Sequence, residues 1–182
     1  VTIPHWPAPA DDSSAGTTQV GDMWRELLPA LGAQVRYAEG RLTVTGPAQL
    51  PEGDFSFDLS AGGELAPTMA AACAFVKGRV ELTGIAHLRG HETDRLAALA
   101  TEINRLGGSA HDTADSLVIE APIPAAAEAA PVLARTYDDH RMATFAAIIG
   151  LRRPNVVVQN VATVAKTMPD FTAMWELSLL HI

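Results

Sequence analysis

Cysteine, long apolar runs and positive charge are all scarce in this sequence, and each shortage excludes a class of protein. Cys73 is the one cysteine among 182 residues, so an internal disulfide and a cysteine-based zinc site are excluded. A reducing compartment, and hence a cytoplasmic location, is therefore expected. No apolar run approaches the roughly 20 residues that a membrane helix needs, and the first residues lack the basic and then apolar pattern of a signal peptide. We expect no membrane partner.

The charge balance excludes a second class of partner. Lys and Arg together number 13 against 21 Asp and Glu, which gives a net charge of −8. A surface of this sign repels nucleic acid, so no nucleic-acid partner is expected.

Length and composition are those of a folded domain. Hydrophobic residues make up 48% of the chain and charged residues 19%, as in globular proteins. The length predicts a single domain over 1–182. The first residue is Val1 rather than methionine, which suggests that the chain was cut or processed from something longer.

A motif recurs three times along the chain at nearly constant spacing, which predicts a repeat. The copies begin at Thr18, Thr93 and Thr167, and each threonine precedes an apolar helical pattern that it is placed to cap. Gly32 and Gly107 follow the first two of these helices, at the position where a left-handed residue commonly ends a helix.

Other patterns fill the space between the capped helices. Paired strands with a short turn are predicted over 34–45 and 109–120, and Ala-rich stretches predict buried helices over 67–76 and 140–150. This order of elements predicts an α/β domain of three quasi-equivalent units around a shared core. The approximate bounds of the repeats are 1–60, 61–125 and 126–182.

The few cations gather where the predicted helices begin. Arg95 and Arg141 stand at helix starts, and Lys166, one of only two lysines, directly precedes Thr167. Helix N-termini already favour anions through their free N–H groups and dipole. If the three units surround a pseudo-threefold axis, these junctions converge on one face. The residues alone therefore predict an anion-binding α/β repeat domain for a phosphorylated or polycarboxylate small molecule.

Other residues with reactive side chains fit structural roles. His87 and His91 have the i, i+4 spacing of metal ligands on a helix, but Gly90 interrupts any helix there and no third ligand is evident. We predict no metal site. Cys73 lies in an Ala-rich buried pattern and is expected to be a small core residue.

Three segments carry a resemblance to a known enzyme family. Leu88–Leu96 contains the letters ETDR, Tyr137–Ala143 contains DHRMA, and Ala165–Phe171 reads AKTMPDF. In this order and spacing they resemble the signatures of the 5-enolpyruvylshikimate-3-phosphate (EPSP) synthase family. The resemblance covers essentially the whole chain, matches the C-terminal domain of that enzyme, and is most similar to actinobacterial members.

The resemblance implies a fold and a reaction. The fold is an inside-out α/β domain of three βαβαββ repeats, one of the enzyme's two globular domains. The reaction transfers the enolpyruvyl group of phosphoenolpyruvate to the 5-hydroxyl of shikimate 3-phosphate and releases phosphate. It serves aromatic amino-acid biosynthesis by the shikimate pathway and proceeds by addition and elimination, with no metal or organic cofactor.

The resemblance also implies a set of residues for phosphoenolpyruvate. Arg95, Arg141 and Lys166 would hold its phosphate and carboxylate, and His140 would support the phosphate. Planar guanidinium groups suit both anionic ends of that ligand.

Proton transfer and the second substrate are assigned in the same way. Glu64 stands where the family usually has an aspartate that takes the proton of the attacking hydroxyl. Glu92 and Lys166 are the candidates for protonating the methylene carbon and for taking that proton back. His87 and His91 stand where many members have asparagine and lysine, near the phosphate of shikimate 3-phosphate.

The matching segments include no counterpart of the family's N-terminal domain, which is the expected partner of this chain. We therefore expect the chain alone to be folded but inactive. Two alternatives stay open at this point: an enolpyruvyl transferase with another acceptor, such as a UDP-amino sugar, and a non-catalytic anion-binding domain.

Overall fold

Strands and helices alternate along the part of the chain that the computed structural model describes, which is residues 1–7, 19–125 and 130–179. The strands are β1 (Thr2–Pro4), β2 (Gln34–Ala38), β3 (Arg41–Thr45), β4 (Phe55–Asp58), β5 (Val80–Thr83), β6 (Ser109–Asp112), β7 (Leu117–Ala121), β8 (Val132–Ala134) and β9 (Val156–Val158). The α-helices are α1 (Trp24–Ala30), α2 (Ala66–Cys73), α3 (Arg95–Arg105), α4 (His140–Gly150) and α5 (Phe171–Leu179). Short 3₁₀-helices cover Val20–Met23, Gly63–Leu65, Ala86–Gly90 and Val161–Lys166.

The strands form three separate sheets. The first has the order β1-β3-β2 and is antiparallel throughout. The second has the order β4-β5-β7-β6, in which β4 and β5 are parallel and the other pairs antiparallel. The third is the parallel pair of β8 and β9. The elements from β4 to β7 follow one another as βαβαββ, which confirms the predicted α/β class. The repeat bounds near 60 and 125 stay a prediction.

The local predictions agree closely with these elements. The hairpin of β2 and β3 turns at Glu39 and Gly40, whose φ angles of 52° and 70° are those of a type I′ turn. The helix α4 has the predicted bounds, His140–Gly150. Gly32 and Gly107 have φ angles of 85° and 90°, so both are left-handed as predicted.

Two of the three predicted threonine caps, Thr93 and Thr167, are wrong. The residue that caps α3 is Asp94, whose carboxylate accepts from the backbone N–H of Ala97 at 3.1 Å. Thr93 lies one residue too early, because a cap side chain serves the second or third N–H of the helix that follows it directly. Thr167 donates its hydroxyl to the carbonyl of Val164 and so closes the preceding 3₁₀-helix. Thr18 lies outside the described residues.

The core lies between the helices α2 and α4 and the sheet of β4 to β7. Both helices are buried as predicted, and they pack against each other. Cys73 is wholly buried in α2, and burial raises the pKa of its thiol to about 12. This confirms it as a core residue. None of the described helices is both long and apolar enough to cross a bilayer.

Candidate functional site

Charged side chains from four separate segments meet at one place on the surface. One of them comes from the 3₁₀-helix Gly63–Leu65 before α2, and three come from the start of α3 and the residues just before it. Three more come from the start of α4, and one comes from the end of the 3₁₀-helix Val161–Lys166. We call this group the ionic cluster. Its members are Glu64, His91, Glu92, Arg95, Asp139, His140, Arg141 and Lys166.

Arg95 lies at the buried base of the ionic cluster. Its residue is 1% exposed, and its Nε donates to Asp139 Oδ2 at 2.8 Å, while a second nitrogen lies 3.3 Å from Asp139 Oδ1. Asp139 is itself wholly buried and caps α4 by accepting from the backbone N–H of Arg141 at 2.7 Å. The pair therefore joins the N-terminus of α3 to that of α4, and it fixes how the two helix starts face each other.

Glu64 links this base to the surface. Its carboxylate accepts from Arg95 Nη1 at 3.2 and 3.4 Å. Arg141 Nε lies 3.1 Å from Glu64 Oε2, and His91 Nδ1 lies 3.6 Å from Glu64 Oε1. The contact with Arg141 is an ion pair without hydrogen-bond geometry, so Nε has no hydrogen-bond partner among the described residues. Glu64 is thus one carboxylate shared by two arginines and a histidine.

Glu92 forms a second centre at the outer edge of the cluster. It is paired with Lys166 Nζ through Oε1, and its Oε2 lies 3.2 Å from His140 Nδ1. Partial burial acts to raise the pKa of Glu92, but the hydrogen bonds and charges of Lys166 and His140 outweigh it, so the pKa is lowered from its ordinary value. The ionised form of Glu92 is therefore favoured in the folded protein.

This lowered pKa predicts a pH-dependent contribution to stability. The stabilisation is fully present above the ordinary pKa of 4.5, and it is lost as the pH falls through the lower pKa of the folded state. Glu92→Gln lacks it at every pH. We expect the difference in the free energy of unfolding between the wild type and Glu92→Gln, measured with urea, to narrow between about pH 5 and about pH 3. A difference that stays constant over this range would contradict the ion pair.

A shallow cavity opens beside the cluster. It has a volume of about 240 Å³ and is lined by His140, Arg141, Thr144, Val164, Thr167 and Met168. Lys166, with 45% of its side chain exposed, precedes Thr167 along the chain. The start of α4 supplies the positive end of a helix dipole at the same place. This edge therefore presents guanidinium and ammonium groups, together with a helix N-terminus, to solvent, an arrangement suited to an anion.

His87 lies in the 3₁₀-helix Ala86–Gly90, near the cluster. Its ring is 6.2 Å from that of His91, edge to face. A Cβ on Gly63 would lie 2.2 Å from His87 Nε2, so only glycine lets the ring lie against the turn that carries Glu64. The structure thus brings His87 beside the backbone of that turn, whereas His91 is the histidine whose ring nitrogen lies 3.6 Å from the Glu64 carboxylate.

One group of the cluster has metal-ligating side chains, but it is not the one that the spacing of His87 and His91 suggested. One ligand atom each of Glu92, Asp139 and His140 lie within 4.8 Å of one another. Arg95 and Lys166 already pair with the two carboxylates, which compensates the negative charge that would attract a cation. We assign no metal to it.

The sequence indicated most of these residues, but not all of their partners. The predicted Glu64, Glu92, Arg95, His91, His140, Arg141 and Lys166 come together as expected. Asp139 is not among the predicted site residues, although an acidic residue directly before a helix is a signal for a cap. The helix start that follows Thr18 does not join the ionic cluster. In the described part of that segment, Asp22 pairs with Arg25 and accepts a hydrogen bond from the Trp6 indole, and it has no ion pair to the cluster.

Comparison with known proteins identifies relatives of the chain. The family model described as EPSP synthase (3-phosphoshikimate 1-carboxyvinyltransferase) matches residues 11–175. The chain is 54% identical over 175 residues to a 3-phosphoshikimate 1-carboxyvinyltransferase of Kocuria rhizophila, covering 96% of this chain and 36% of that protein. A protein of the same name from Bifidobacterium longum is 46% identical over 183 residues, covering 96% of this chain and 38% of that protein. The chain thus spans just over a third of the length of these relatives.

Solved structures agree with the fold. An EPSP synthase from Acinetobacter baumannii has a TM-score of 0.66 at 25% identity, over 86% of this chain and 38% of that one. The enolpyruvyl transferase NikO from Streptomyces tendae has a TM-score of 0.59 at 20% identity, over 81% of this chain and 33% of that one. The second likeness shows the fold alone.

Proposed function

The chain belongs to the EPSP synthase (3-phosphoshikimate 1-carboxyvinyltransferase) family, and on that premise we propose that the ionic cluster is half of an active site. The complete site transfers the enolpyruvyl group of phosphoenolpyruvate to the 5-hydroxyl of shikimate 3-phosphate and releases phosphate. The observation that supports this most directly is the pairing of Lys166 with Glu92, and of Arg141 with Glu64, from motifs far apart in the sequence.

In this proposal phosphoenolpyruvate binds at the exposed cationic edge. Arg141 and Lys166 are partly exposed and reach its anionic groups directly, with His140 beside them. The Nη1 atom of Arg95 donates to Glu64, so a ligand anion either replaces Glu64 at this nitrogen or binds without Arg95. The ligand's charges thus compete with the carboxylates that hold these cations when no ligand is bound, which makes binding dependent on ionic strength.

The carboxylates are placed to move protons. Addition forms a bond between the 5-oxygen and C2 of phosphoenolpyruvate, while Glu64 takes the hydroxyl proton and C3 gains a proton from Lys166 or Glu92. Elimination then breaks the bond between C2 and the phosphate oxygen, the C3 proton returns to the same group, and Glu64 gives the hydroxyl proton to the departing phosphate. The contact between Glu92 and Lys166 suits this exchange, since either one can carry the proton for the other.

The second substrate and the partner domain complete the proposal. Glu64, His87 and His91 lie on the side that shikimate 3-phosphate occupies. The N-terminal domain of the same enzyme supplies the opposite wall, so the isolated chain is inactive. We also propose that the enzyme is cytoplasmic. Its one cysteine, Cys73, is wholly buried, as expected of a protein from a reducing compartment.

Release of inorganic phosphate from phosphoenolpyruvate tests the proposal. The full-length enzyme that contains this chain is expected to release it when shikimate 3-phosphate is added, and the chain alone is not. Release with a UDP-amino sugar instead would identify another acceptor. No release with either acceptor, together with binding of phosphoenolpyruvate, would identify a non-catalytic anion-binding domain and contradict the proposal.

A further inference from the structure

The turn that delivers the start of α4 to the ionic cluster has an unusual backbone. Tyr137 and Asp138 are consecutive and have φ angles of 55° and 56°. A left-handed conformation is unfavourable for a residue with a side chain, most of all for a bulky one such as tyrosine. Asp139, His140 and Arg141 follow directly. Strained backbone of this kind persists only where surrounding contacts hold it, and such strain is concentrated at functional sites.

One buried carboxylate holds this turn from the side away from solvent. Glu102 in α3 is wholly buried, and its Oε1 accepts from the Tyr137 hydroxyl at 2.8 Å. Its Oε2 accepts from the backbone N–H of Arg135, the residue directly after β8, at 3.0 Å. Arg105 Nε donates to Oε1 at 3.1 Å. Three donors on one carboxylate are the partners that a buried anion requires.

The outer side of the turn is held by weaker, exposed contacts. Asn160 donates to Asp138 Oδ1 at 2.7 Å, and the Thr163 hydroxyl donates to the Asp138 carbonyl at 2.7 Å. The strained pair is therefore clamped between α3 on the inside and the segment that leads to Lys166 on the outside. Glu102 is the buried carboxyl group of this clamp, and the three donors that it accepts from lie outside the ionic cluster.

We propose that Glu102, acting through Tyr137, is a positioning residue that sets the place of His140 and Arg141 in the ionic cluster. The hydroxyl of Tyr137 is anchored by Glu102, and the anchored side chain holds the left-handed backbone from which α4 starts. The role of this anchor in phosphoenolpyruvate binding rests on the function proposed above. The effect of the anchor on the geometry of His140 is independent of that function.

Removal of one oxygen atom tests the clamp. In the full-length enzyme, Tyr137→Phe is expected to raise the KM for phosphoenolpyruvate by about tenfold, the effect of losing a hydrogen bond to a charged group. The KM for shikimate 3-phosphate is expected to change less than twofold, because Glu64, His87 and His91 come from other segments. Glu102→Gln is expected to change both constants in the same way as Tyr137→Phe.

A matched control and a second readout separate positioning from general damage. Tyr37→Phe removes a hydroxyl in β2, the other tyrosine of the chain, and should leave both KM values unchanged. In the unliganded protein, the ring resonances of His140 should shift in Tyr137→Phe and not in Tyr37→Phe. This second readout needs no turnover, so it holds even if the proposed reaction is wrong.

Two results would overturn the proposal. One is a Tyr137→Phe enzyme with wild-type KM values and wild-type His140 resonances. The other is an equal change in both KM values accompanied by a lower unfolding midpoint, because that is the behaviour of a residue that only stabilises the fold. If Glu102→Gln does not fold, the same criteria apply to Tyr137→Phe alone.

Discussion

Replacing Arg95 by methionine is expected to lower the free energy of unfolding by about 3–5 kcal/mol, the usual cost of breaking a buried ion pair from one side. Arg95 is 1% exposed and its partner Asp139 is wholly buried. Without the guanidinium, the Asp139 carboxylate keeps the backbone N–H of Arg141 but loses the cation that pairs with it at 2.8 Å. Methionine preserves most of the packing, so the decrease in the free energy of unfolding comes mainly from removal of the guanidinium charge. Urea unfolding of the chain, followed by tryptophan fluorescence, measures it.

Two further variants show whether the loss of stability in Arg95→Met comes from the unpaired charge of Asp139. Arg95→Met combined with Asp139→Asn removes that charge and keeps an oxygen that can cap α4, so it should recover part of the lost stability. Arg79→Met is the matched control, because the side chain of Arg79 is 43% exposed and pairs with Glu81 at the surface. Its cost should be below about 1 kcal/mol. An Arg95→Met variant as mild as Arg79→Met would show that the pair is not needed.

Replacing Lys166 by alanine is expected to lower kcat of the full-length enzyme by about 10²- to 10⁴-fold, the range for loss of a general acid–base group. There are two reasons. The proposed proton carrier disappears, and so does a positive charge at the exposed edge where we propose that phosphoenolpyruvate binds. The fold should survive, since 45% of the Lys166 side chain and 34% of that of Glu92 are exposed. Steady-state phosphate release measures the rate, and the unfolding midpoint checks the fold.

The chain offers an exact control for this substitution. Lys77 is the other lysine, and its side chain is 74% exposed in a surface pair with Glu52, 2.7 Å away. Lys77→Ala should leave kcat unchanged. If Lys166→Ala and Lys77→Ala have similar rates, the assignment of Lys166 to proton transfer is wrong.

Elements that depend on short-range physics could be predicted from the sequence. The bounds of α4 follow from an Ala-, Met- and Ile-rich apolar stretch that predicts a buried helix. The turn at Glu39 and Gly40 follows from a glycine between two alternating patterns. The left-handed Gly32 and Gly107 follow from the rule for helix ends. In each case the determining residues lie within a few positions of one another.

Contacts between distant residues could not be predicted in the same way. The resemblance implies, from the place of Arg95 in the ETDR motif, that Arg95 contacts a ligand, yet the structure shows it paired with Asp139 and Glu64. No local pattern reports that the two helix starts face each other across a buried pair. Tyr137 illustrates the same limit, since its left-handed backbone depends on Glu102, which is 35 residues earlier in the chain.

The choice of cap shows a third kind of limit. Thr93 and Asp94 are adjacent, and both are good capping residues. Which of them caps α3 therefore depends on whether the helix starts one residue earlier or later. That register is set by which face of α3 is buried, with Leu96, Leu99 and Ile103 inside. Burial of the helix as a whole therefore decides a detail that looks local.

A structure of the full-length enzyme with shikimate 3-phosphate and a non-transferable analogue of phosphoenolpyruvate is the most direct test of the ionic cluster as half of the active site. We expect the anionic groups of the analogue within about 3 Å of the Arg141 guanidinium and the Lys166 ammonium. Glu64 should face the 5-hydroxyl of shikimate 3-phosphate. Binding of both ligands with no atom within about 4 Å of Arg141 or Lys166 would contradict the assignment.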